Sequence, residues 1–457
     1  MTAHRSVWRI VFATLACLLP LACRAAPTRT STPIDQATAR AAFDAAWNTV
    51  ETGDADPTHG GVDWKAVKAE FEPRAAACTT REQLREVLQQ MLAKLGRSHF
   101  GVVPASAASR EVEAASTTRG DGTLGLTLRV VGDRIVVTDA MTGSPAAAAG
   151  VRRGWIVRSV DGSDRAAELL AQPPEGAMAR YALDAGAQSL DHGAPGSRQS
   201  WVFVDTAGVE RRLELTRVTA PGDTTQIGIL PPLHARCVDR VISPEELRAM
   251  GVPDDLRIAV IDFNIWMPAI AATIDAAVDR HRAADGIVLD LRGNPGGVAA
   301  MCMGVAGHFH DAPDSLGTMR TRDATLEFRV NPRRSTADGR AVEPFKGPLV
   351  IVVDPLSAST SEIFAAGLQS LGRAHVVGRA SAGAALPAQM RELPGGDGLI
   401  FAFADFTTPD GEHLEGSGVQ PDEVTGGTIA DWSGASDPDL QAGARWISKT
   451  LRDADCH

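Results

Sequence analysis

The chain has 457 residues, 44% of them apolar and 22% charged, with a formal net charge of −11. That length is enough for two or three domains, each with its own core. The acidic balance excludes nucleic acid and anionic membrane as main partners, because a phosphate-rich surface would repel it.

Arg5 and Arg9 open the chain, and an apolar run follows from Ile10 to Ala22. The run is too short for a membrane span and has the order of an export signal over residues 1–25, with small residues at Ala25 and Ala26 for cleavage. Leu21-Ala22-Cys23 offers the alternative of a lipid anchor at Cys23, with a proline three residues before the cysteine. Both readings predict an exported protein, periplasmic or held at the membrane as a lipoprotein. Residues 26–33, rich in Thr, Ser and Pro, form a linker. The later cysteines, Cys78, Cys237, Cys302 and Cys456, lack metal-ligand spacing and allow three disulfide pairings or none.

Residues 34–112 have helical texture. Phe43, Trp47 and Val50 recur at helical spacing, as do Leu84, Leu88, Leu92 and Leu95. Asp63 is placed to cap a short helix carrying Trp64, Val67 and Phe71, and Thr79-Thr80-Arg81-Glu82 begins the last helix. Gly96 stops it, and Arg97-Ser98-His99-Phe100 follows. Residues 110–122 are polar and form a second linker.

Residues 120–218 change to strands and turns. Leu124-Gly125-Leu126 opens this stretch and Ile135-Val136-Val137 is a strand. Ser144-Pro145 starts a short helix over Ala146–Ala149, and Val160-Asp161-Gly162 is a turn. The run resembles a PDZ domain of the bacterial protease type, with Leu124-Gly125-Leu126 in the place of the carboxylate-binding loop. The resemblance implies a site that adds a peptide C-terminus as a strand, or a unit that positions or gates another domain. Gln172–Gln199 departs from a minimal PDZ pattern and reads as an inserted loop. Trp201–Val204 and Arg212–Leu215 are closing strands.

Residues 219–450 alternate strands and helices, which predicts an α/β core of βαβ crossovers in an α/β multidomain chain. Strands fall at Ile258–Ile261, Gly286–Leu291 and Leu349–Val353, with a helix over Ile270–Arg282 between the first two. Two strand-to-helix turns carry the chemistry. One is Asp290-Leu291-Arg292-Gly293-Asn294-Pro295-Gly296-Gly297, which lacks the residues of a phosphate loop or a dinucleotide fingerprint. The other contains Ser357, Ser359, Thr360 and Ser361 ahead of the helical pattern Glu362, Ile363, Phe364, Leu368. A serine there is well placed for nucleophilic attack, since the first helical turn offers N–H groups to an oxyanion. Ser359 with Glu362 also has the spacing of a capping box. Asp290 and Arg292 are placed to brace their turn by hydrogen bonds.

Ser98-His99, DLRGNPGG, SASTSE and the late Leu414-Glu415-Gly416-Ser417-Gly418-Val419 together resemble the tail-specific (C-terminal-processing) serine peptidases, a family that includes the tricorn core protease. The resemblance covers most of the chain and implies hydrolysis of polypeptide substrates, with no cofactor and no metal. It makes Ser359 the nucleophile and assigns the oxyanion to the N–H of Thr360 and of Gly297 or Gly296. One branch of the family uses a lysine after the serine, but that place reads Gly383-Ala384-Ala385 here. The chain has only five lysines, and none lies between Lys346 and Lys449. The tricorn-like branch uses a histidine and a later glutamate, which implies His99 as base and Glu415 as the acid that orients it, directly or through Ser98. His375 and His413 are the competing bases. His308 and His310 flank Phe309 without a supporting ligand cluster. The alternative is a non-catalytic peptide-binding protein on the same scaffold. No Gly-x-Ser-x-Gly elbow supports an esterase. The sequence carries no signal for oligomeric state.

Overall fold

The computed structural model describes residues 32–104, 121–171, 178–226, 232–336 and 338–455. The export signal, Cys23, Cys456 and most of both linkers lie outside the described residues. Three helices open the described chain: α1 (Gln36–Gly53), α2 (Trp64–Ala76) and α3 (Arg81–Ala93). Asp35, Asp63 and Thr80 cap them, each side chain accepting from a backbone N–H of the first turn. Phe43, Trp47, Trp64, Phe71, Leu84 and Leu88 bury into one cluster, and Leu399 and Phe401 of the last third join it. After α3 the chain passes Ser98-His99 and enters β1 (Gly101–Val103). This helical segment is therefore sewn into the core rather than standing apart from it.

The β-rich unit is a five-stranded antiparallel sheet in sequential order: β2 (Leu126–Val131), β3 (Arg134–Ala140), β4 (Ile156–Val160), β5 (Arg198–Val204) and β6 (Glu210–Thr216). Trp201 and Phe203 stack at 5.3 Å in its core. Ser144 caps the short helix Pro145–Ala148 as its sequence predicts. The stretch Gln172–Gln199 differs from the inserted loop expected: it contains helix α4 (Ala179–Gln188) and the start of β5. The hydrophobic period does not reveal α4 because Asp184 sits on its buried side, 1% exposed, and Gln188 shares that side.

The core is a six-stranded sheet. Its strands are β7 (Cys237–Val241), β8 (Ile258–Phe263), β9 (Gly286–Asp290), β10 (Leu349–Val353), β11 (His375–Gly378) and, last in the chain, Glu423–Val424. Pairing is parallel throughout except at β7, the antiparallel edge. Side chains alternate between its faces: Leu349, Ile351 and Val353 enter one cluster, Val350 and Val352 the other. Helices α5 (Ala271–His281) and α6 (Thr360–Ser370) cover the first face, and α7 (Pro438–Asp455) covers the second. All five β10 residues are fully buried, each aliphatic side chain contributing ~1.5–3 kcal/mol of transfer free energy. A three-stranded sheet beside the core orders β1, β13 (Gly398–Ala402) and β12 (Ala388–Glu392), with Gly101 opposite Ile400. That pairing joins the segment carrying Ser98-His99 to the last third of the chain.

Candidate active site

Ser359 sits between β10 and α6 with φ 56° and ψ −115°. Among the described non-glycine residues, positive φ occurs at His59, His99, Asp161 and Ser359. A bulky residue holds this conformation only when its surroundings impose it, and such strain gathers at reacting groups. The turn has the shape of a strained strand-to-helix elbow without the glycines that usually announce one.

The other hydroxyls of the turn are bonded to its surroundings. Ser357 Oγ donates to Leu291 O at 2.7 Å and accepts from Asp354 N at 2.9 Å. Ser361 Oγ donates to Asn294 O at 3.0 Å and accepts from Trp266 Nε1 at 2.9 Å. Thr360 Oγ1 donates to Gly297 O at 3.1 Å. The Ser359 hydroxyl donates to none of the described residues. Its neighbours are braces, all fully buried, a difference their sequence pattern does not reveal.

The glycine-rich turn packs directly on Ser359. A Cβ on Gly296 would lie 2.8 Å from Ser359 Cβ and 3.0 Å from Thr360 N. Gly296 N donates to Asn294 Oδ1 at 3.0 Å, so its N–H is already engaged. Asn294 stitches the two turns, its carbonyl accepting from Ala358 N at 3.0 Å. Asp354 does the same from below, accepting from Gly293 N at 2.9 Å and Leu356 N at 3.0 Å. Arg129, from β2, pairs with Asp354 at 2.6 Å, both side chains 3% exposed. Arg292 Nε bonds Asp290 Oδ1 at 2.9 Å, and its Nη1 reaches Asp439 at 2.9 Å, which braces the turn. Sequence reasoning passed over Asn294, Asp354 and Arg129 as site residues; an asparagine inside a run of Gly and Pro was the available signal.

Ser98, His99 and Glu415 form a chain. Ser98 Oγ lies 2.7 Å from His99 Nδ1 and 2.8 Å from Glu415 Oε2, and Ser98 N donates to Glu415 Oε1 at 2.6 Å. A hydroxyl has one proton to give, and a carboxylate can only accept it. Ser98 therefore accepts from His99 Nδ1–H, which leaves the lone pair on Nε2. The φ of 61° at His99 turns the ring back over Ser98. Burial holds the His99 pKa down at about 4, so the ring is neutral near pH 7. Burial pushes the Glu415 carboxyl up, opposed by its bonds to the Ser98 amide and hydroxyl and to Ala385 N.

Glu362 connects the two halves. It accepts from Ser359 N at 2.8 Å, Ser381 Oγ at 2.6 Å, Gly383 N at 2.7 Å and Ala384 N at 2.9 Å. Burial pushes this carboxyl up to about 7, against four donors that favour the charged form. The next amide, Ala385 N, goes to Glu415 Oε2 at 3.3 Å. Three consecutive amides thus join the carboxylate beneath Ser359 to the one behind His99. The stretch that carries a lysine in one branch of the family resembled is here a backbone bridge.

The competing histidines lie elsewhere. His375 begins β11 opposite Val350, at the end of the sheet away from Ser359, and stacks on Trp446 at 4.5 Å. His413 is mostly exposed and lies 3.2 Å from Asp405. His308 and His310 turn to different carboxylates, Asp275 at 2.8 Å and Asp314 at 2.7 Å. Cys78, Cys237 and Cys302 are free thiols. Leu124-Gly125-Leu126 lies in the β-rich unit, apart from the Ser359 turn, with its amides bonded to Asp191 and Thr123. Among the described residues, no helix is long and apolar enough to cross a membrane.

Comparison with known proteins bears on family and fold. Residues 257–425 match the model of peptidase family S41, and residues 35–93 match the tricorn protease C1 domain. A carboxyl-terminal-processing protease of Picosynechococcus sp. is 27% identical over 385 residues, covering 83% of this chain and 81% of the relative. Its counterpart in Synechocystis sp. is 24% identical over 383 residues, with 83% and 79% covered. Among solved structures, a photosystem II D1 C-terminal processing protease superposes with a TM-score of 0.55 at 20% identity, covering 88% of this chain and 99% of that one. Mature CPAF complexed with lactacystin gives a TM-score of 0.57 at 13% identity, with 91% and 98% covered. These two likenesses concern the fold.

Proposed function

We propose, from the premise that the chain is a serine-type peptidase of the tail-specific family S41, that it cleaves polypeptides through an acyl-enzyme on Ser359 with His99 as base. The observation that carries this reading is the Glu415–Ser98–His99 chain, which leaves Nε2 as the ring's acceptor. His99 Nε2 takes the Ser359 proton as Oγ attacks the peptide carbonyl. The resulting oxyanion faces the N-terminus of α6, where Thr360 N–H and Gly297 N–H are the donors. Gly296 is the alternative to Gly297, its N–H donating to Asn294 Oδ1 at 3.0 Å in the resting site. His99 then protonates the leaving amine, and water, deprotonated by the same nitrogen, releases the acyl group. Throughout, the imidazolium that develops is stabilised by its Nδ1–H bond to the Ser98 hydroxyl, which Glu415 polarises.

The N-terminal order of Arg5, Arg9 and the apolar run supports export, with release or a lipid at Cys23 as the two outcomes. The five antiparallel strands and α4 support the PDZ-like reading of the β-rich unit.

The test is hydrolysis of an unfolded protein by the mature chain beside Ser359→Ala and His99→Ala, with fluorophosphonate labelling in parallel. Wild type is expected to cleave and to label, and both folded variants to lose cleavage. Full activity in His99→Ala would place the base elsewhere. A wild type inert to both reagents would leave the scaffold as a binding protein.

A further inference from the structure

An edge strand can accept a peptide only where its own N–H and C=O groups are unpaired. β2 is the edge of the β-rich sheet, bonded to β3 on one side only. On its other side the alternate amides of residues 124, 126, 128 and 130 point outward, where an added strand would pair. Every one of these amides is already taken. Leu124 N and Leu126 N donate to Asp191 Oδ1 at 3.1 and 2.8 Å, and Thr123 Oγ1 donates to the same carboxylate's Oδ2. Leu128 N donates to Gln188 Oε1 at 3.0 Å, while Gln188 Nε2 donates back to Leu126 O at 2.9 Å. Val130 N donates to Asp184 Oδ1 at 2.6 Å. Asp184 and Gln188 lie one helical turn apart on α4, and Asp191 follows in the turn that ends it.

The side chains copy a ligand feature by feature. Gln188 pairs with the strand in both directions, as a peptide unit would. Asp191 puts a carboxylate on the two amides and hydroxyl where a chain terminus would sit, and it is 1% exposed. Arg217, itself buried, bonds the Asp191 carbonyl at 2.9 Å and completes the pocket. We infer that α4 and Asp191 are a built-in occupant of the β2 edge, so this peptidase takes its substrates without reading their C-terminal carboxylate. The inference rests on the peptidase reading above and narrows its substrate class to polypeptides cut irrespective of how their chain ends.

The occupant is also tied to the site. Arg129 Nη1 donates to Gln188 Oε1 at 2.9 Å while its Nε holds Asp354 under the Ser359 turn. Asp184 Oδ2 lies 3.9 Å from Arg379 Nη1, which follows β11. Lifting α4 off β2 would withdraw partners from both arginines, so vacating the edge would disturb the nucleophile turn rather than prime it.

The experiment compares one unfolded peptide in two forms, a free C-terminal acid and its C-terminal amide, with the full chain. Cleavage of both at rates within about twofold of each other is expected. A free acid cleaved about tenfold faster than the amide would overturn the inference. Fluorescence anisotropy with Ser359→Ala and the same labelled peptides separates this from the catalytic reading. If neither form is cleaved, the catalytic reading fails, and equal or absent binding of acid and amide still supports the closed edge. Acid-selective binding overturns it. The variant Asp191→Ala with Gln188→Ala vacates the amides of 124, 126 and 128 and is expected to gain preference for the acid. A folded double variant indifferent to the terminus would refute the mimicry, and one that fails to fold leaves the wild-type arms decisive.

Discussion

Replacing Ser98 by alanine removes the hydroxyl between Glu415 and His99 and nothing else from the chain of contacts. The Ser98 amide still donates to Glu415 Oε1 at 2.6 Å, so the carboxylate keeps its place and the fold is expected to hold. The loss falls on the transition state. In the resting site Ser98 accepts from a neutral ring, a bond worth about 1 kcal/mol. When His99 becomes an imidazolium that bond is charge-assisted, worth ~1.5–3 kcal/mol, and is backed by the Glu415 carboxylate at 2.8 Å from the hydroxyl. The differential loss is ~0.5–2 kcal/mol, or about a 2- to 30-fold fall in kcat at ~1.4 kcal/mol per decade. KM should stay near wild type, because Ser98 touches no substrate. Ser98→Thr keeps a hydroxyl at the same bond count and should recover most of the rate. Steady-state hydrolysis of an unfolded substrate, with urea unfolding as the fold control, measures both. A Ser98→Ala enzyme with wild-type kcat would refute that stabilisation and leave Glu415 without a catalytic connection.

Because burial holds His99 at about 4 rather than 6.5, kcat/KM should stay level on acidification to about pH 5 and fall only through about 4; an acid limb near 6.5 would contradict the buried base. The same shift has a stability sign. The unfolded chain takes up this proton first, so the ring's contribution is present above about 6.5 and lost as pH falls through about 4, which the urea midpoint of wild type against His99→Gln should show. Gly296→Ala should cut kcat by at least about two powers of ten, since its Cβ would press on Ser359 Cβ from 2.8 Å at a φ of 98°. A near-normal rate in that variant would mean the two turns move independently. Ser361→Ala should keep fluorophosphonate labelling yet lose ~1–3 kcal/mol of stability, because buried Trp266 Nε1 is left without its acceptor; loss of labelling with unchanged stability would mean the nucleophile is misassigned.

Much of this was legible along the chain. Helical spacing and caps placed α1, α2 and α3, and the apolar runs placed β8, β9 and β10, because those signals depend on neighbours a few residues away. The SASTSE and DLRGNPGG turns were recognisable for the same reason, each being a local device at the end of a strand. The missing lysine directed attention to His99. What the chain order could not reveal were bonds between distant residues. Four hydroxyls in a row look alike until Leu291, Asn294 and Gly297 bind three of them. Ser98 and Glu415 are 317 residues apart, and the pairing of β1 with β13 together with the packing of Leu399 and Phe401 among the helices brings the helical segment to the core. Helix α4 escaped the hydrophobic period because its buried side carries Asp184 and Gln188, polar groups whose burial costs free energy unless they have partners. Those partners are the amides of β2, and they become available only when the sheet has formed and left that edge beside the helix. Periodicity and turn chemistry are written into neighbouring residues, whereas the satisfaction of a buried polar group depends on which distant backbone comes to lie against it.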